Sequence, residues 1–127
     1  MVAAKNGHAS TVQALVMARV NVDKAGRKGW TALMLAACHG HLGAVRELLY
    51  ARANVDRTTD DGVQALGYAA MNGHAYIVRA LPRAGASSGF VSTHGHTALS
   101  LATARQHAEV IELLRADGAL LFRDWRI

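Results

Sequence analysis

Cysteine, proline and aromatic side chains are scarce in this sequence: among 127 residues there is one cysteine, one proline, and 6% Phe, Trp and Tyr. A lone cysteine, Cys38, excludes an internal disulfide and agrees with a reducing compartment. No apolar run approaches the roughly 20 residues of a membrane-spanning helix. The opening Met1-Val2-Ala3-Ala4-Lys5-Asn6 has no apolar block of the secretory kind. We therefore expect a cytoplasmic or nuclear protein without a membrane segment. A single proline beside twelve glycines leaves helices uninterrupted and supplies tight turns between them.

What the chain does have is enough apolar matter, 51%, to bury a core, and a length that suits one domain. Fourteen Lys and Arg against nine Asp and Glu give a net charge of +5. That balance favours acidic partners and steers association with them.

Shifted by 33 residues, the sequence matches itself. Gly7-His8, Gly40-His41 and Gly73-His74 recur at that spacing, continued by Gln106-His107. So do Ala3-Ala4, Ala36-Ala37 and Ala69-Ala70, and the series Leu15, Leu48, Leu81, Leu114 and Val12, Val45, Val78, Ile111. Gly29, Gly62 and Gly95 each precede by two residues Thr31, Gln64 or Thr97. A fixed period of this length means stacked copies of one small unit.

The second copy shows how the unit is built. Thr31 caps a helix in which Leu33, Ala36 and Ala37 share one face. The alanines are small so that neighbouring helices can approach. Gly40 ends this helix with a left-handed residue. A second helix runs from about His41 to Ala51 with Val45, Leu48 and Leu49 on one side. An extended piece and a turn near Asp60-Asp61-Gly62 then lead to the next copy. One helix pair cannot cover its own apolar face, so stability resides in the stacking interfaces.

The run Gly29-Trp30-Thr31-Ala32-Leu33-Met34-Leu35-Ala36-Ala37-Cys38-His39-Gly40-His41 resembles the ankyrin repeat. The resemblance covers residues 2 to about 119. It implies an all-α repeat solenoid, a stack of antiparallel helix pairs joined by β-hairpin-like turns. The units are about 1–23 (partial), 24–56, 57–89 and 90–119, with 120–127 as a tail or cap. Met1 stands where Met34 stands, so the first unit lacks its hairpin, which reads as a domain cut from a longer chain or as a divergent start. A monomer is expected, with self-association through the uncapped first unit as the exception.

Departures from the family pattern predict local weakness. Alanine replaces the family's proline at Ala32, Ala65 and Ala98. Met34, Gly67 and Ser100 replace its histidine, removing a Thr–His hydrogen bond. Gln64 replaces the capping threonine. Pro82 should end its helix early or bend it, and Arg115 stands in place of Leu49. Leu120-Leu121-Phe122 should fold back over the last unit.

No cofactor, metal or catalytic group is expected. His8, His41, His74 and His107 occupy the Gly-His position, which in the resembled family is structural, together with Gly7, Gly40 and Gly73. His39-Gly40-His41 and His94-Gly95-His96 are close in sequence only, without a converging ligand set. Ser10, Ser87, Ser88, Ser92 and Ser100 are assigned no nucleophilic role, and neither H-E-x-x-H nor a phosphate loop occurs. Asp60-Asp61 reads as a turn. Cys38 reads as an idle, partly buried thiol.

The resemblance instead implies a protein–protein interaction module that binds through hairpin tips and a concave face. Carried over by position, the tips are Arg27, Lys28 and Trp30, then Asp60, Asp61 and Val63, then Thr93, His94 and His96. The ends of the first helices add Lys5 and Asn6, Cys38 and His39, Met71 and Asn72, and Arg105 and Gln106. Trp30 is the leading candidate, flanked by two cations; the competing reading is that it merely packs on the adjacent hairpin. The tips pass from basic to acidic to histidine-bearing, which fits a partner of graded charge, in part acidic. The alternative is a nucleic acid or other polyanion. Scattered arginines, acidic residues on the middle tip and the lack of an aromatic ladder argue against it.

Overall fold

In a computed structural model, the structure describes residues 1–9, 12 and 21–125, with side chains through residue 116. Leu15 and Arg19, and the side chains of Leu120, Leu121 and Phe122, lie outside what is described.

Helices α1 (Val2–Lys5), α2 (Ala32–Cys38), α4 (Ala65–Met71) and α6 (Ala98–Ala104) are the first helices of successive units. Their partners α3 (Leu42–Tyr50), α5 (Ala75–Arg83) and α7 (Ala108–Trp125) are the second helices. First helices pack on first helices, α1 on α2 on α4 on α6, and α5 packs on both α3 and α7. Each pair also packs internally. The result is a two-layer stack with seven α-helices among the described residues.

The alanine pairs explain the close spacing. Ala36, Ala37, Ala69, Ala70 and Ala102 are completely buried where first helices meet. Leu33, Leu66, Val45, Val78, Leu48 and Leu81 fill the layer between first and second helices. Small residues on one face and branched ones on the other let each helix touch its partner and both neighbours.

The glycine-histidine corner locks one unit to the next. Gly7, Gly40 and Gly73 have φ of 75°, 78° and 75°. A β-carbon on Gly40 would lie 2.6 Å from the His74 ring, and one on Gly73 would lie 2.6 Å from His107. His74 Nε2 is 3.0 Å from the Cys38 carbonyl oxygen, and His107 Nε2 is 2.9 Å from that of Met71. Each imidazole therefore sits in the slot its predecessor's glycine leaves open, bonded to the carbonyl two residues before that glycine. Gln106 takes the same left-handed turn, φ 59°, and its side chain is exposed. Glycine is needed at this corner chiefly where a following ring claims the space.

Several expectations require correction. The loss of the motif histidine does not leave the helix start bare. The Thr31 N–H donates to Met34 Sδ at 3.4 Å, while Thr31 Oγ1 accepts from the Met34 N–H at 3.3 Å. In the last unit the Thr97 N–H donates to Ser100 Oγ at 2.8 Å, and Thr97 Oγ1 accepts from the Ser100 N–H at 3.1 Å. Any side-chain acceptor three residues into the helix closes the same reciprocal cap. Of the three first helices α2, α4 and α6, α4 starts without a side-chain cap.

Pro82 does not shorten its helix: α5 spans 9 residues, as does α3. Proline here falls one residue before the helix end, so it removes a single hydrogen bond in the final turn. Gly67 is buried in α4, where a β-carbon would meet Val63 Cγ1 at 2.7 Å. The helix gives up some propensity there to admit the hairpin. Finally, residues 120–122 do not fold back. α7 runs on unbroken for 18 residues. Its extension, residues 117–125, contains no proline to stop it.

Candidate functional site

Three hairpins project beside the first helices, and each closes in the same way. The Gly26 N–H donates to the Trp30 carbonyl at 2.8 Å, Thr59 to Val63 at 3.0 Å, and Ser92 to His96 at 2.8 Å. The hairpins also bond to one another. The Asp60 N–H donates to the Lys28 carbonyl at 3.0 Å, and the Thr93 N–H to the Asp61 carbonyl at 3.1 Å. The three tips therefore form one continuous ribbon with a fixed step. Gly29 and Gly62, with φ of 80° and 76°, allow this approach: a β-carbon on Gly62 would meet the Thr93 backbone nitrogen at 2.9 Å. Gly95 has nothing within 4 Å.

The side chains divide into those the fold uses and those it leaves over. Arg27, Lys28, Asp60, Asp61, Thr93, His94 and His96 are exposed along the ribbon. Lys5, Asn6, His39, Arg105 and Gln106 are exposed at the ends of the first helices. Among the described residues the one ion contact is His94 Nε2 to Asp61 Oδ1 at 4.0 Å, with both side chains about 70% in solvent. A contact so exposed adds next to nothing to stability.

The other predicted site residues hold the stack together. Trp30 is half-buried and stacks on Tyr68 of the next unit, with ring centroids 4.2 Å apart and planes tilted by 33°. It packs, and it also presents its remaining surface to a pocket lined by Lys5, Arg27, Lys28 and Leu35. The Tyr68 hydroxyl lies 2.8 Å from Thr59 Oγ1, a buried pair. Burial raises the Tyr68 phenol above its usual range, against the lowering effect of Thr59, and the charge on Asp61 adds to the rise. Val63 and Met71 pack half-buried against the core. Asn72 bridges units: its Nδ2 donates to the Cys38 carbonyl at 2.8 Å and to Cys38 Sγ at 3.1 Å.

Burial pushes the Cys38 thiol up, and the Asn72 hydrogen bond only partly offsets it. The thiol therefore stays protonated at neutral pH, and only the thiolate is nucleophilic. Alkylation by iodoacetamide at pH 8 should run about tenfold slower on the folded protein than on the denatured chain. Its rate should climb with pH through a midpoint above that of the unfolded thiol. Equal rates in the two states would overturn the assignment.

No group of three or more His, Cys, Asp or Glu converges on a metal-sized site among the described residues. His39 and His41 have ring centroids 6.4 Å apart. Gly85-Ala86-Ser87-Ser88-Gly89 carries the letters of a nucleophile elbow, a match that reading the sequence passed over. It follows helix α5 and enters an exposed loop, where Ser87 Oγ accepts from the Gly89 N–H at 3.3 Å. A nucleophile elbow joins a strand to a helix, so this serine is a turn residue.

Reading the sequence also missed Leu35 and Tyr68. The signal was available: Val2, Leu35, Tyr68 and Leu101 recur at the same period, on the side of the first helix opposite the alanines. Val2 is 74% exposed, Leu35 and Leu101 are half-buried, and Tyr68 is covered by Trp30. They form an apolar floor beside the charged tips.

A stack of helix pairs carrying a row of exposed side chains defines a helical repeat protein. The chain belongs to the ankyrin-repeat family: a family model described as ankyrin repeats (3 copies) matches residues 1–88 and again 52–122. Ankyrin repeats are generally protein–protein interaction modules and typically non-catalytic. No curated protein matches the chain. No described helix is long and apolar enough to cross a membrane.

Proposed function

We propose that this chain recognises a partner protein through the three hairpin tips and the adjoining ends of the first helices. One observation carries the reading: the tips are locked into a single ribbon by backbone bonds, yet their side chains are left to solvent. Such a surface is preformed, so docking on it orders little of the protein and leaves the backbone in place. Trp30 supplies a rigid aromatic anchor, held by Tyr68, with Arg27 and Lys28 beside it. Tryptophan and arginine in such settings dominate binding energy.

The test is affinity capture with the intact chain, followed by titration of the captured partner. Trp30→Ala and Arg27→Ala should each weaken it by at least about fivefold, roughly 1 kcal/mol. Arg27 is exposed and makes no ion contact within 4.0 Å among the described residues, so its loss leaves the fold alone. A partner that binds both variants as tightly as the parent chain rejects this surface. Nucleic acid fits the ribbon poorly, because Asp60 and Asp61 interrupt it.

A further inference from the structure

We infer that the ribbon of tips selects a partner segment in extended conformation whose charge changes from acidic to basic within about three residues. The inference rests on the interaction surface proposed above and specifies the chemistry of its occupant.

Lys5, Arg27 and Lys28 line one pocket with Trp30 and Leu35. No carboxylate lies within 4.0 Å of any of these cations among the described residues. The pocket is therefore a concentration of positive charge over an apolar floor, and its complement is a carboxylate attached to an apolar-tolerant chain. The next tip reverses the sign. Asp60 and Asp61 are both exposed, Asp60 Oδ1 leans toward Gly29, and the one ion contact of Asp61 among the described residues is with His94, a group that is charged only when protonated. An all-acidic segment that filled the pocket would meet repulsion at its next step.

Geometry sets the interval. Equivalent residues of adjacent tips step with the packed first helices that carry them, about 10 Å, and the Asp60–Lys28 backbone bond fixes their register. An extended chain rises about 3.3 Å per residue, so one tip corresponds to about three residues. The ribbon's own N–H and C=O groups between tips are already engaged with each other. Discrimination therefore falls to side-chain charge order.

Two blocked peptides of the same composition and zero net charge test this, with cores Glu-Glu-Gly-Lys-Lys and Glu-Lys-Gly-Glu-Lys. They are titrated at low ionic strength into the isotope-labelled chain while backbone amides are followed by NMR. The block peptide should bind about threefold tighter or better and shift the amides of both Lys28 and Asp61. The paired variants Arg27→Gln with Lys28→Gln, and Asp60→Asn with Asp61→Asn, should each erase the preference. Equal affinity for the two peptides overturns the inference, as does equal or tighter binding of an all-Glu peptide, or no shift at the tips with either peptide. A salt-sensitive dimer of the chain alone, broken by the same variants, would show that a second copy fills the surface and would also overturn it. None of these results bears on partner capture by the Trp30 surface, which stands or falls by its own titration.

Discussion

Gly40→Ala should lower stability by about 3 kcal/mol and the melting temperature by roughly 10 °C, far more than its single added methyl suggests. Two costs combine. A left-handed alanine is disfavoured by about 1–2 kcal/mol. The methyl also lands 2.6 Å from the His74 ring. The ring must then leave its slot and give up its bond to the Cys38 carbonyl, worth about 1 kcal/mol. Gly95→Ala separates the two contributions. Its φ is 81°, yet nothing lies within 4 Å of the new methyl, so only the backbone cost of about 1 kcal/mol remains. Thermal melts of the two variants followed by circular dichroism measure the difference. Similar losses would mean that the imidazole slot contributes nothing.

Leu66→Ala should cost about 4 kcal/mol, close to the upper end for a buried leucine. Leu66 is 1% exposed in α4, a first helix that packs on described neighbours at both sides, α2 and α6. Close packing keeps those neighbours from collapsing into the vacancy, so the cavity term is added to the lost transfer energy. Because stability in a stack is largely a sum over neighbouring interfaces, the damage is felt by two of them. Leu99, at the same position of the last unit, is only half-buried. Leu99→Ala should cost roughly half as much. Urea titrations with unchanged slope test both values, and equal losses at the two positions would contradict the described packing.

Much of this architecture was readable from the period of the sequence. Spacing located the paired helices and the tight corners, because stacked units repeat their constraints at every turn, and the family resemblance placed the tips. Interactions that join different units through unlike residues were not readable. Trp30 meets Tyr68 across two units, and nothing local in either segment names the other. Asn72 read as a surface residue because its bonds to Cys38 cross from one helix end to the next. The caps at Thr31 and Thr97 survived the missing histidine because a thioether and a hydroxyl can both accept a hydrogen bond, which a pattern written in residue letters conceals. The end of α7 was misjudged because Gly118 reads as a stop, yet the helix runs through it to Trp125. Of the surface, position in the repeat marked Arg27, Lys28, Asp60, Asp61, Thr93, His94 and His96, which are exposed, but did not separate them from Trp30, Val63, Met71 and Asn72, which pack, and did not show that the backbone of the tips is tied into one ribbon.

The corner formed by a glycine and the following imidazole has a direction. Every joint has a socket on one unit and a tongue on the next, and the two never exchange roles. A block of residues duplicated in frame carries one of each, so it would slot between existing units wherever its boundaries fall. One extra residue between the alanine pair and the histidine would leave a tongue facing no socket, and the chain beyond it would be free to swing. Length changes in whole periods are thus tolerated by this molecule, whereas the smallest insertion at a corner divides it in two.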